Sequence, residues 1–292
     1  MTLLTAQKAE IICPLSQYRL IEISGADAEK YLQGQLTCDV SKLAIGDSTL
    51  TAHCDPKGKM NSLFRLIRAS ENQFFALILT ALLPHAVDQL KKYAVFSKVT
   101  FTELDWQLVG FAGEQGLAKA KELAAQYKIE IASQQPRALL LNPTEQISGN
   151  SCAQQWDLLD IQDGVPSLAP ATLNEFIPQA MNVQSIEQAI SFSKGCYIGQ
   201  ETVARAKYRG ANKRALFIFS APSTDLPEIG SELEMQLESG WRKTGTITSA
   251  VIFSETLWLQ AVLNTPLEDN QQFRLPNSEL PLTRQPLPYE LS

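Results

Sequence analysis

One stretch in the second half of the 292-residue chain, Lys194–Gly210, constrains the fold more than any other. It reads Lys-Gly-Cys-Tyr-Ile-Gly-Gln-Glu-Thr-Val-Ala-Arg-Ala-Lys-Tyr-Arg-Gly, so that Gly195 and Gly199 lie on either side of Cys196. Glycine permits turns and close backbone approaches that a side chain would prevent. The spacing therefore predicts that Cys196 lies on a tight loop.

The residues from Ile198 onward favour a helix that has Glu201 in its first turn and ends at Gly210. A helix N-terminus stabilises a nearby thiolate, and Lys194 can add to this effect at Cys196. The helix dipole contributes only about 0.3–1 kcal/mol, which is less than one pKa unit, so we expect the thiol to stay mostly protonated at neutral pH. Cys196 is therefore the candidate catalytic residue, accessible rather than activated, and a small structural cysteine is the alternative.

The run Phe192–Gly210 as a whole closely resembles the signature of the YgfZ family of bacterial folate-binding, tRNA-modifying proteins. The resemblance extends to Gly25–Thr37, His53–Met60, Lys92–Val99 and Phe176–Ala180, and it covers nearly the whole chain. It implies a tetrahydrofolate-binding fold related to the T-protein of glycine cleavage. It also implies a role in the maturation or repair of iron-sulfur enzymes, including tRNA-thiolating partners such as tRNA methylthiotransferase.

The same resemblance implies the residues of a folate site. Trp156 matches an aromatic residue that the family uses for folate, and Tyr18 stands where related sequences carry a tryptophan. The motif residues expected around the site are Lys194, Gly195, Tyr197, Gly199, Gln200, Glu201 and Arg205. A pterin ring needs a flat apolar surface with a few polar groups, and its glutamate tail needs positive charge. Core packing is the alternative role for either aromatic residue.

An aminomethyltransferase like the T-protein itself is the main alternative function. Transferase members of the resembled group carry an Asp-Asp pair after the hairpin glycine, whereas the corresponding residues here are Ser62 and Leu63. Neither side chain can act as a carboxylate, although a carboxylate elsewhere, such as Asp55, remains open. We therefore do not expect a classical aminomethyltransferase.

Direct tRNA binding is a third hypothesis, because the net charge of −6 is unevenly distributed. The segment Lys194–Arg214 carries six basic residues and a single acidic residue, Glu201. The basic residues are Lys194, Arg205, Lys207, Arg209, Lys213 and Arg214. RNA-binding modules usually show a basic overall balance or exposed aromatic stacking motifs, and the sequence displays neither. We therefore expect weak RNA binding and an indirect link to tRNA.

The composition, 45% hydrophobic and 19% charged, is that of a globular protein with two or three domains. No apolar run approaches the roughly 20 residues of a membrane helix, and no signal peptide is recognisable, so we expect a cytoplasmic protein without membrane contact. The five cysteines are scattered and never spaced as C-x-x-C, and there are only two histidines. We therefore expect neither a disulfide framework nor a metal site.

Hydrophobic periodicity predicts a β-α-β-β-β-α order for the N-terminal part. The predicted elements are a strand at Arg19–Ser24, a helix at Asp27–Gln33, strands at Ser48–Cys54, Lys59–Arg68 and Asn72–Thr80, and a helix at Leu82–Tyr93. Gly34 is expected to stop the first helix. The composition of Asp55–Gly58 favours a tight turn and hence a hairpin.

A second α/β unit follows in the sequence pattern. Its predicted elements are a strand at Trp106–Ala112, a helix at Leu117–Tyr127, short strands near Ile129 and at Arg137–Asn142, and a strand at Trp156–Ile161. The segment Gly164–Pro178 reads as a long surface loop, and loops of this length are usually functional.

Short β-rich runs follow Arg214, at Ala215–Ser220, Gly245–Phe253 and Leu257–Leu263. Because helices and strands are segregated, we predict an α+β protein with a T-protein-like folate-binding fold of two α/β units plus a C-terminal β-barrel. The predicted domains are residues 1–211, with an approximate break near 103, and residues 212–292, the barrel.

Overall fold

The computed structural model describes residues 10–291, and the chain forms two compact units. The first unit comprises the chain up to His53, Ser62–Trp156 and Glu187–Ile198. The second comprises Cys54–Asn61, Asp157–Ile186 and the chain from Gly199. The domain limits predicted near residue 103 and at 212 stay predictions.

Two antiparallel sheets are built from the N-terminal half of the chain. The strands are β1 (Ile11–Pro14), β2 (Tyr18–Ser24), β3 (Ser48–Cys54), β4 (Met60–Arg68), β5 (Gln73–Leu79), β6 (Thr100–Leu104), β7 (Leu108–Ala112), β8 (Ala125–Ile131) and β9 (Arg137–Pro143). The helices are α1 (Ala28–Gln35), α2 (Leu83–Lys92) and α3 (Gly113–Glu122). One sheet has the order β3-β4-β5-β2-β6, and the other has the order β1-β7-β9-β8.

The β-α-β-β-β-α order predicted for the N-terminal part is confirmed by β2, α1, β3, β4, β5 and α2. The predicted turn between β3 and β4 is also present, and one carboxylate oxygen of Asp55 accepts hydrogen bonds from the amides of Lys57 and Lys59. The predicted stop at Gly34 is wrong. The helix continues to Gln35 and ends where Leu36 becomes extended and forms a β-bridge with His53.

The four-stranded sheet buries Ile12, Val109, Phe111 and Leu140 together with Ala120 of α3. Here the predicted helix at Leu117–Tyr127 is misplaced, because α3 begins at Gly113 and ends at Glu122. From Ala125 the side chains alternate between more and less exposed positions, which is the pattern of a strand with one covered face. These residues accordingly pair with β9.

The strand predicted at Trp156–Ile161 is wrong, because Ala153–Gln162 forms helix α4. Residues 156, 158, 159 and 161 are all buried. The pairs 156/158 and 159/161 each have the two-residue spacing of buried side chains in a strand, so the sequence resembles two short strands. The helix is covered on several sides and lacks the single apolar stripe of a surface helix. Its alanine, glutamine and leucine residues favour the helical state.

The remaining part of the chain contains one more helix and a seven-stranded antiparallel sheet. The elements are α5 (Gln200–Arg209), β10 (Arg214–Pro222), β11 (Leu233–Leu237), β12 (Gly240–Thr244), β13 (Thr246–Phe253), β14 (Thr256–Asn264), β15 (Phe273–Arg274) and β16 (Pro281–Gln285). The order in the sheet is β12-β11-β15-β16-β10-β14-β13. Short 3₁₀ turns lie at Val40–Lys42, Thr80–Leu82, Pro170–Thr172, Pro178–Met181 and Val183–Ser185.

The seven-stranded sheet has its own apolar core, in which Phe219, Leu233, Leu259 and Phe273 are fully buried. The β-rich character predicted after Arg214 is therefore confirmed, and so is the α+β class. Within residues 10–291, no helix is both long enough and apolar enough to cross a membrane.

Candidate functional site

The loop that carries the central motif is anchored in the first unit through Lys194. This side chain is buried, and its ammonium group donates hydrogen bonds to the carbonyl oxygens of Leu36, at 2.8 Å, and Cys38, at 2.6 Å. The Nζ atom also lies 5.0 Å from the ring centroid of Tyr197. Burial lowers the pKa of Lys194 to about 8. The geometry gives this lysine an anchoring role.

Further bonds join the same loop to the segment after α1. The Thr37 hydroxyl donates to the carbonyl oxygen of Ala189 at 2.7 Å, and the Ser191 amide donates to the carbonyl oxygen of Thr37 at 2.8 Å. The Ile198 amide donates to the carbonyl oxygen of Gly34 at 3.2 Å. The end of α1 and the motif loop therefore form one hydrogen-bonded structure.

Cys196 is an exposed free thiol, as the sequence predicts for an accessible residue. A Cβ atom added at Gly195 would meet no atom within 4 Å, so the surroundings do not require a glycine at this position. In the part of the chain that the structure describes, none of the five cysteines forms a disulfide bond. No group of three or more His, Cys, Asp or Glu side chains within residues 10–291 is arranged to hold a metal ion.

Gly199, in contrast, is required by its backbone and by its neighbours. It caps the N-terminus of α5 with a φ of +82°. An added Cβ would lie 2.6 Å from the carbonyl oxygen of Asp55 in the β3-β4 turn. In the same turn, Gly58 has a φ of +78°, and its added Cβ would lie 2.7 Å from Cβ of Thr202. The turn and the start of α5 therefore approach so closely in the second unit that both positions need glycine.

Helix α5 begins at this close contact and has the acidic residue in its first turn and the basic residues in its last turn. Glu201, in the first turn, forms an ion pair with Arg205, and both side chains are exposed. Val203 and Ala206 form the buried side of the helix. There the side-chain amide of Gln179 donates a hydrogen bond to the carbonyl oxygen of Val203 at 2.6 Å. Gln200 is half-buried at the first helical position.

A polar cavity of about 330 Å³ lies in the first unit. The described residues that line it are Cys38, Asp39, Lys42, Leu43, Asp47, Ser48, Thr49, Arg65, Glu130, Ile131, Ala132, Glu187 and Gln188. Charges of both signs are thus present, with four carboxylates, one lysine and one arginine. The volume falls within the range of small-molecule sites, about 300–1,000 Å³.

The central feature of this cavity is a two-point ion pair between Arg65 and Glu187, with N–O distances of 2.6 and 3.1 Å. The carboxylate of Glu187 also accepts a hydrogen bond from the Leu50 amide at 2.8 Å, and Arg65 donates to the Ser48 hydroxyl at 3.0 Å. Glu187 has a φ of +47°, an unusual backbone conformation for a residue with a side chain. This pair could not be predicted from the sequence, because no local pattern links residues so distant in the chain.

Trp156 is buried, with 3% of its surface exposed. The ring lies against Gly110, where an added Cβ would approach Cζ3 to 2.4 Å, and the Arg137 guanidinium lies 5.0 Å from the ring centroid. Tyr18, the first residue of β2, is half-buried and lies opposite Leu79. Neither Trp156 nor Tyr18 belongs to the described residues that line the cavity. Their assignment to folate stays a prediction.

The two positions that carry carboxylates in the transferases, Ser62 and Leu63, are both buried here. Ser62 is fully buried, and its hydroxyl has no hydrogen-bond partner among residues 10–291. Leu63 is buried as well. The carboxylate of Asp55 binds two amides of its own turn, which is a structural role.

His53, which belongs to one of the motifs used for the family resemblance, is fully buried in the first unit. Neither ring nitrogen has a hydrogen-bond partner among residues 10–291, and the ring meets Tyr93 edge to face with 6.4 Å between centroids. Burial, with a smaller contribution from the charge of His85, lowers the pKa of His53 from 6.5 to about 4. No sequence pattern indicated a role for this side chain.

Comparison with protein families gives two matches that follow each other along the chain. The family described as "GCVT N-terminal domain" matches residues 4–132, and the family described as "YgfZ, beta-barrel domain" matches residues 212–278. Among solved structures, the aminomethyltransferase T of the glycine cleavage system from Bartonella henselae has a TM-score of 0.70 and 16% identity. The alignment covers 98% of this chain and 87% of that one, and at this identity it establishes the fold.

Similar sequences extend over almost the full length. An uncharacterized protein of Haemophilus influenzae is 59% identical over 279 residues, which are 95% of this chain and 98% of that one. The tRNA-modifying protein YgfZ of Yersinia pseudotuberculosis is 41% identical over 309 aligned positions, covering 95% of this chain and 92% of that one. The chain therefore has the T-protein-like fold predicted from its sequence, and it belongs to the YgfZ family.

Proposed function

We propose that this protein binds tetrahydrofolate and acts in tRNA modification, as an accessory protein for the maturation or repair of iron-sulfur enzymes such as tRNA methylthiotransferase. The observation that carries the link to tRNA is the 41% identity with a tRNA-modifying protein over 95% of the chain. This similarity includes both compact units, so the role is proposed for the whole chain. The proposed location of the protein is the cytoplasm.

The folate part of the proposal is supported by the match to the GCVT N-terminal domain and by the likeness of the fold to an aminomethyltransferase. The polar cavity supports it further. A pterin ring carries amino and N–H groups that can donate hydrogen bonds to carboxylates such as those of Glu130 and Asp39. Lys42 supplies a positive charge for the glutamate tail of a folate, whereas Arg65 is held by Glu187. Trp156 and Tyr18 remain proposed folate residues by resemblance.

Tetrahydrofolate supplies one-carbon carrier chemistry when it is bound. Of the chain's own residues, Arg65 and Glu187 would hold the shape of the cavity, and Lys194 would keep the motif loop attached beside it through Leu36 and Cys38. Cys196 is the proposed reactive group, since its thiol is exposed on that loop. Ser62 and Leu63 provide no carboxylate, so we do not propose aminomethyl transfer.

Folate binding is tested by titration calorimetry of the purified protein with tetrahydrofolate. We expect saturable binding that is weakened in a Glu130→Gln variant, because the substitution removes a charged acceptor and nearly preserves the shape. Glu103→Gln is a matched control on an exposed strand. Absence of saturable binding to the folded wild-type protein would refute the folate part.

The link to tRNA is tested separately in a deletion strain that is complemented with wild type or with Cys196→Ser. Mass spectrometry of digested tRNA measures methylthiolated nucleosides. We expect their loss in the deletion strain and recovery with the wild-type gene. Unchanged nucleosides in the deletion strain would refute the tRNA role. Turnover of an aminomethyl donor to methylenetetrahydrofolate by the purified protein would instead favour the transferase alternative.

A further inference from the structure

The second unit exposes five cations and one aromatic side chain within the ten residues from Arg205 to Arg214. We call this surface the basic face, and it consists of Arg205, Lys207, Tyr208, Arg209, Lys213 and Arg214, all of which are exposed. Tyr208 is 68% exposed. Between residues 200 and 214 the only acidic residue is Glu201, although the chain as a whole carries a net charge of −6. The positive charge is therefore concentrated.

The helix geometry places the aromatic ring beside an arginine. Val203 and Ala206 point into the unit, whereas Arg205, Tyr208 and Arg209 are exposed. Arg205 precedes Tyr208 by three positions and Arg209 by four, so it is a neighbour of both on the helix surface. The helix ends at Gly210, which has a φ of +58°. Tyr208 and Arg209 are therefore both neighbours of Arg205 on the exposed side of α5.

The chain after the helix adds two more cations in a held conformation. Asn212 donates a hydrogen bond to the carbonyl oxygen of Arg214 at 2.7 Å and accepts one from its amide at 3.2 Å. The carbonyl oxygen of Lys213 accepts a hydrogen bond from the Thr265 amide at 2.9 Å. Lys213 and Arg214 are thus presented from an ordered backbone at the start of β10.

Simpler explanations cover only part of this arrangement. Cations in the last turn of a helix compensate its dipole, which explains Lys207 and Arg209 but neither Lys213 nor the exposed tyrosine. Membrane binding by an amphipathic helix needs a free apolar side, and the apolar side of α5 is buried in the unit. Arginine and lysine side chains beside an exposed aromatic ring match the chemistry of single-stranded nucleic acids, in which phosphates alternate with stackable bases.

We propose that the basic face binds single-stranded RNA, with phosphates bound by Arg205 and Arg209 and an unpaired base stacked on Tyr208. This inference goes beyond the proposed function, which requires no direct RNA contact. The acidic remainder of the chain limits the affinity, so we expect dissociation constants of about 1–100 μM at physiological salt. The sequence did not indicate an aromatic stacking residue, because its pattern does not show that Tyr208 lies on the exposed side of α5.

The test is a fluorescence anisotropy titration of a labelled oligouridylate, about a dozen nucleotides long, at about 50 and about 200 mM salt. Tyr208→Ala should weaken binding about 5- to 150-fold, whereas Tyr208→Phe should stay within about twofold because it keeps the ring. The double variant Arg205→Gln/Arg209→Gln should reduce the salt slope by about 1.4, at about 0.7 per lost phosphate contact.

The matched control is Lys119→Gln/Lys121→Gln on α3, which removes the same charge from exposed positions of the first unit and should change binding less than about twofold. Thermal melting checks that every variant is folded. Equal losses in the two double variants would overturn the proposal, and so would full binding by Tyr208→Ala. Binding of the face to anionic lipid vesicles or duplex DNA in preference to the oligouridylate would also overturn it.

Discussion

His53 should make the protein lose stability as the pH falls through the range in which an ordinary histidine takes up a proton. Its ring is fully buried, and neither nitrogen has a partner among residues 10–291 that would stabilise the charged form. Protonating the ring in the folded state therefore places an uncompensated charge in the interior. The unfolded chain accepts the same proton in water without this cost.

The magnitude follows from the two pKa values. Burial lowers the pKa from 6.5 to about 4. Because the folded-state pKa is the lower one, the contribution of His53 to stability is complete above pH 6.5 and is lost as the pH falls from there toward 4. Each pKa unit corresponds to about 1.4 kcal/mol, so the full loss is about 3 kcal/mol, of which about 2 kcal/mol is lost by pH 5.

Urea unfolding between about pH 8 and about pH 5 measures this loss when wild type is compared with His53→Leu. The carboxylates titrate in both proteins, so the difference between the two pH profiles isolates the imidazole. We expect the wild type to lose about 2 kcal/mol more than the variant over this range. Parallel profiles would refute the reasoning, and so would an NMR titration in which the His53 ring protonates near its ordinary pKa of 6.5.

Five other substitutions test the site. Gly199→Ala should cost about 1–3 kcal/mol in urea unfolding, because of its positive φ and its close neighbour, whereas Gly195→Ala should cost almost nothing. Glu187→Ala should cost about 3–5 kcal/mol in the same measurement, because it leaves a buried arginine unpaired. Trp156→Ala should lower stability by about 3–5 kcal/mol, since the ring is buried; in calorimetry, any folded Trp156→Ala protein should bind tetrahydrofolate about 5- to 150-fold more weakly if the ring contacts folate. The free energy of unfolding of Cys196→Ser should lie within about 0.5 kcal/mol of that of wild type. The variant should fail complementation if the thiol is reactive.

The elements that could be predicted from the sequence are those determined by neighbouring residues. The β3-β4 hairpin depends on the Asp55–Gly58 turn, whose carboxylate binds the amides that follow it. The end of α5 depends on Gly210, which adopts the left-handed conformation. These features are local, so the pattern of a few residues is sufficient to predict them.

The features that the sequence did not predict depend on contacts between distant residues. Helix α4 resembles a strand in sequence because it is covered on several sides, and the covering residues, such as Gly110 against Trp156, lie far away in the chain. The ion pair of Arg65 and Glu187 joins positions 122 residues apart. The unpartnered burial of His53 likewise depends on surroundings that no local pattern records.

The division of the chain into interleaved segments has a consequence for its synthesis. All three segments of the first unit have been translated once Ile198 is added, whereas the second unit still lacks everything from Gly199 onward. Because domains tend to fold as soon as they are complete, the first unit can fold on the ribosome while Cys54–Asn61 and Asp157–Ile186 wait for their partners. Neither unit can be produced as one continuous fragment. A premature stop after residue 211 would leave a complete first unit attached to exposed, unpaired pieces of the second, which is a state prone to aggregation and proteolysis.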